Sequence, residues 1–87
     1  MKRDRRNFYP SLRVISKILR ILLENPTITR TDLCQKAGLN YSRFLNHLDW
    51  LGQKGIIELK LDSCRVVVTL TKNGREFTMM LNQNNIR

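Results

Sequence analysis

Acidic side chains are scarce in this sequence: seven Asp and Glu stand against sixteen Lys and Arg, a formal charge of +9 over 87 residues. Solubility alone asks for far less, so the excess points to a polyanionic partner. Long apolar runs are missing as well. Residues 21–23 and 66–68 are typical, and a spanning helix needs roughly 18–20 apolar residues. Residues 1–7 lead into Phe8, Tyr9, Pro10 and interspersed Arg and Lys, not into the apolar stretch of a signal peptide. A protein that stays in the cytoplasm and off the membrane is expected. Cysteine is limited to Cys34 and Cys64, with no Cys or His beside either. That spacing suggests neither a zinc knuckle nor a disulfide framework, and two reduced thiols are expected. His47 is the sole histidine, glycine-rich phosphate loops are absent, and the acids are scattered at Asp4, Glu24, Asp32, Asp49, Glu58, Asp62 and Glu76. No acid–base constellation emerges, so no catalytic residue, metal or cofactor is expected.

What is present suits one small folded domain: 41% hydrophobic and 7% aromatic residues exclude wholesale disorder. The charge is uneven, with seven basic groups and one acid in residues 1–20 against nine and six in the remainder. Residues 1–10 therefore read as a basic arm, 11–83 as the domain and 84–87 as a frayed tail.

Leu12, Ile15, Ile18, Leu19 and Leu22 recur at helical spacing after Ser11, which predicts a capped helix over 12–24 that ends at Asn25 and Pro26. Thr29 followed by Asp32 forms a capping-box variant. It opens a short second helix with Leu33, Cys34 and Ala37 inward and Gly38 as its stop. From Tyr41 to about Lys54, the stripe Tyr41, Leu45, Leu48 and Gly52, flanked by Phe44 and Leu51, predicts a third helix closed by Gly55. Residues 56–60 and 65–70 are β-branched runs around Leu61, Asp62, Ser63 and Cys64, a hairpin with a four-residue tip. Thr71 caps a last helix over roughly 72–83 with Phe77, Met80 and Leu81 on its apolar side and Gly74 a mild weakness. The order is helix, helix, helix, strand, strand, helix: an α+β fold, mainly α.

A short helix ending in Ala37, Gly38 and Leu39, then a longer one starting at Asn40, is the helix-turn-helix arrangement, and the hairpin adds a wing. The run DLCQKAGLNYSRFLNHLDWLGQKGIIELK, followed by VTLTKNGREF, resembles the winged helix-turn-helix transcription regulators, especially small archaeal ones that include chromatin-associated dimers. The likeness covers residues 11–81. It implies a double-stranded DNA-binding protein, nucleoid-associated and regulating transcription. The sequence-nonspecific architectural protein and the protein-interaction module of a larger complex are its rivals.

On that reading the outer side of the third helix carries Ser42, Arg43, Asn46, Trp50, Gln53 and Lys54. Arg43 and Asn46 are the expected base readers, because Arg can bridge guanine O6 and N7 and Asn can bridge adenine N6 and N7. Tyr41 and Ser42 join them near the helix start. Arg30, Lys36, Asn40, Lys54, Lys60, Arg65 and the arm residues Lys2, Arg3, Arg5 and Arg6 are expected on the phosphate backbone. His47, at the boundary between faces, is expected in a polar contact or in solvent. Homodimerisation is expected, since two half-sites raise affinity. Trp50, Phe77, Met80 and Leu81, with Val14 and Ile21 of the first helix, are the candidate interface residues.

Overall fold

The computed structural model describes residues 8–84. In chain order the elements are α1 (Leu12–Glu24), β1 (Ile28–Thr29), α2 (Arg30–Ala37), α3 (Tyr41–Gln53), β2 (Ile57–Asp62), β3 (Arg65–Leu70) and α4 (Lys72–Asn84). The three strands form one antiparallel sheet in the order β1-β3-β2. The mainly helical class holds, and β1 is an addition to the expected order. Its two residues pair Ile28 with Val68 and Thr29 with Val67. A strand that short shows no alternation, so only its partner reveals it.

Polar caps in the sequence become the helix ends. The Ser11 hydroxyl accepts from the Val14 N–H at 3.4 Å, and the Thr29 hydroxyl accepts from the Asp32 N–H at 3.1 Å. Helix α2 stops at Gly38, whose φ of 66° is left-handed. The Gly38 N–H then reaches the Gln35 carbonyl at 3.1 Å, and the Leu39 N–H reaches Cys34 at 3.4 Å. The end of α3 repeats the device at Gly55, with Gly55 N–H on Gly52 and Ile56 N–H on Leu51. Both sets of orphan carbonyls are thereby satisfied as the chain turns sharply.

The core gathers Val14, Ile15, Ile18, Leu19 and Leu22 of α1, Leu33, Cys34 and Ala37 of α2, Phe44, Leu48 and Leu51 of α3, and Ile28, Ile56, Ile57 and Val68 around the sheet. Burying a side chain of this kind contributes roughly 1.5–3 kcal/mol. Leu12, expected on the buried stripe, is exposed, because it opens α1 beyond the edge of the core. Val14, offered above as an interface residue, is buried and unavailable.

Gly74 proves to be a requirement where a mild weakness was expected. A Cβ there would collide with the carbonyl of Ile56. The close approach is held by the Thr71 N–H and hydroxyl, both donating to the Ile56 carbonyl at 3.0 and 3.1 Å. Thr71 Oγ1 also accepts from the Gly74 N–H at 2.9 Å. The two sequence stretches that carried much of the resemblance, 55–57 and 70–74, thus clamp each other. Gly74 and Thr78 form the buried line of α4. Phe77 and Leu81 pack half-buried against the core as expected, and only Met80, which is exposed, corrects the apolar side expected for this helix.

Candidate nucleic-acid interface

Helix α3 is fixed at both ends and on one side. Asn40, in extended backbone, caps it by accepting from the Arg43 N–H at 2.9 Å. Phe44, His47, Leu48 and Leu51 are its buried residues. The inward stripe therefore lies toward Phe44 and Leu51, rotated from the expected one. Tyr41 is exposed, its ring tilted against Phe44 at 6.3 Å between centroids; Gly52 is exposed and Leu45 half-buried. Tyr41 leaves the core stripe because it opens the helix, one turn beyond the nearest packed residue.

The other flank faces outward. Ser42, Arg43, Gln53 and Lys54 are exposed, while Asn46 and Trp50 are half-buried. Trp50 packs against the edge of the core and carries Lys54 Nζ 5.6 Å from its ring centroid, a cation–π arrangement. Asp49 follows Asn46 by three residues and is half-buried. It adds an acid to this flank that was not assigned from sequence.

The wing is a six-residue pair of strands, with Asp62 opposite Arg65 and Lys60 opposite Val67. Its tip is a two-residue turn where four residues were expected. Ser63 and Cys64 take φ values of 51° and 68°, the left-handed pair that matches strand twist. Side chains disfavour this geometry, and without the usual Asn-Gly signal the tight turn is not readable from sequence. Lys60 and Arg65 are exposed.

Two open depressions sort the basic residues. An opening of about 370 Å³ between the start of α2 and the wing tip is lined by Thr29, Arg30, Thr31, Asp32, Cys64, Arg65 and Val66. It brings Arg30 and Arg65 together. Lys36 lies elsewhere, in a groove with Arg13, Lys17 and Arg20 of α1 and Leu81 of α4. It does not share the wing-side opening with Arg30. Lys2, Arg3, Arg5 and Arg6 lie outside the described residues.

His47 makes the polar contact that was one of its two expected surroundings. It is 3% exposed, with Nε2 accepting from the Ser11 N–H at 3.0 Å and Nδ1 2.8 Å from the Arg43 carbonyl. Phe8 meets its ring edge-on at 5.1 Å. Of the polar contact or solvation expected, the polar contact holds. The signal available in the sequence was spacing: His47 follows Phe44 by three residues and precedes Leu51 by four, on the buried stripe. No group of three or more potential metal ligands occurs among the described residues, and no described helix is long and apolar enough to cross a membrane.

Known structures share this arrangement. A cysteine-to-serine mutant of MarR from E. coli complexed with operator DNA is 25% identical over 78% of this chain and 51% of its own, with a TM-score of 0.71. A MarR-family transcriptional regulator from Silicibacter pomeroyi gives 24% identity, 80% and 49% coverage, and 0.75. The transcriptional repressor CouR bound to a 23-mer DNA duplex gives 21% identity, 78% and 50% coverage, and 0.73. The chain spans about half the length of these proteins, and no curated protein matches it significantly in sequence. The family model described as winged helix-turn-helix DNA-binding matches residues 13–58, from the first turn of α1 to the start of β2. The match takes in both left-handed glycine stops and the helix whose outward flank carries Ser42, Arg43 and Asn46, and the chain belongs to that winged helix-turn-helix DNA-binding family.

Proposed function

We propose that this chain is a transcription regulator that binds double-stranded DNA by laying α3 in the major groove. Ser42, Arg43 and Asn46 meet base edges, with Tyr41 at the helix start. Arg30 and Arg65 hold one phosphate stretch from the wing side, and Lys54 and Lys60 add further charge. The arm residues Lys2, Arg3, Arg5 and Arg6 supply more phosphate contacts. The observation that carries this reading is the outward flank of α3, with Ser42, Arg43, Gln53 and Lys54 exposed on a helix whose other side is locked into the core. The E. coli MarR complex with operator DNA and the CouR complex with a duplex support it by their likeness in fold. A cytoplasmic, nucleoid-associated protein with no enzymatic role follows from the same reading. So does pairing of two copies, for which Leu12, Ile21 and Leu81 in the groove between α1 and α4 are candidates.

Titration of a fluorescently labelled mixed-sequence duplex, at increasing salt, tests the electrostatic half. About six neutralised phosphates give a slope of about −5 in log affinity against log salt. A flat titration contradicts it. Selection of preferred sites from random duplexes tests the reading half, and the absence of any preference favours an architectural protein.

A further inference from the structure

The contact between residues 8–11 and α3 has a chemistry of its own. A backbone N–H only donates and a carbonyl only accepts, so the partners of His47 fix its state. Nδ1 carries the proton toward the Arg43 carbonyl, and Nε2 is bare to receive the Ser11 N–H. This pairing fits one tautomer of the ring, with its proton on Nδ1. A second proton on Nε2 would set N–H against N–H and turn this contact from attractive to repulsive. Three of these residues, Phe8, Tyr9 and Ser11, form one wall of an open groove of about 500 Å³ and face Asn40, Ser42, Arg43, Asn46 and His47. Arg43 and Tyr9 are the charged and titratable groups that line it with His47. Its lining shares no residue with the opening at the wing. Tyr9 is 85% exposed, an aromatic ring held near the candidate base readers with no packing role to explain it.

We propose that residues 8–11 are a second flanking contact to the duplex, separate from the wing, and that neutral His47 is the positioning residue that pins them beside Arg43 and Asn46. This rests on the DNA-binding reading above. Pinned there, Tyr9 reaches the DNA flank beside α3. Protonation of His47 releases the strap and loosens the complex. The sign is distinctive, because added positive charge would otherwise tighten binding to a polyanion.

The test is the affinity of the whole chain for a labelled mixed-sequence duplex from about pH 8 to about pH 5 at constant salt. The Ser11 amide resonance of the free protein is followed in parallel. Affinity is expected to fall about fivefold as the Ser11 resonance moves, the scale of one buried hydrogen bond. His47→Gln, whose side-chain oxygen can still accept from Ser11, is expected to lose the pH dependence of binding. Phe8→Ala, outside the core, is expected to weaken binding at pH 8 even if His47→Ala fails to fold. Affinity unchanged or raised in acid overturns the proposal, as does a His47→Gln protein that keeps the acid loss. Absence of binding at pH 8 contradicts instead the DNA-binding reading itself.

Discussion

Helix α3 and the wing are both expected to touch DNA, yet they are built in opposite ways. Four side chains of α3 are buried, both its ends are capped, and its free flank is held at a fixed angle to the body. Of the six residues of β2 only Ile57 is buried, and Leu59 and Leu61 stand exposed toward a tip of two left-handed non-glycine residues. Geometry held to a fraction of an ångström suits hydrogen bonds to base edges, whereas a lightly packed ribbon bearing Lys60 and Arg65 suits phosphates, where charge counts more than register.

That contrast can be broken first through stability. Phe44→Ala is expected to cost about 3–5 kcal/mol, enough to unfold much of a domain this small, whereas Leu61→Ala should cost under about 0.5 kcal/mol. Thermal denaturation of the two variants measures the gap, and equal losses would mean the wing is packed as firmly as the helix. Next comes binding. Arg43→Ala should remove about 1–3 kcal/mol of preference for a selected site over random duplex while leaving the fold intact. Arg65→Ala should weaken both duplexes alike and reduce the salt slope by about one. Anisotropy titrations on both duplexes separate the two effects. Smallest is the turn. Cys64→Gly should raise stability by about 0.5–1 kcal/mol, since glycine accepts the positive φ without strain. Chemical denaturation would register that gain, and a loss would mean the turn changes its geometry.

The same contrast explains what could be read from the chain. The first helix lies at 12–24 as its apolar spacing and the Asn25 and Pro26 stop foretold, because both signals are local. Thr29, Gly38 and Gly55 act where their chemistry placed them, each through its immediate neighbours. Three features escaped because they depend on distant partners. Strand β1 exists only against β3. The need for glycine at position 74 comes from a carbonyl at position 56, and the cover over His47 comes from residues 8 and 11, although its place on the buried stripe was readable from its spacing to Phe44 and Leu51. The groove beside α3 was unreadable for the same reason. Arg43 and Asn46 could be singled out only as residue types on an outer face, and the face itself proved rotated toward Asp49.

Mapping amide chemical shifts of the labelled chain during titration with a selected duplex tests the α3 interface most directly. Changes should concentrate at Ser42, Arg43 and Asn46, with a second set at Arg30, Lys60 and Arg65, and should leave Phe77, Met80 and Leu81 still. Shifts confined to α4 and its groove with α1, with none on α3, would contradict it.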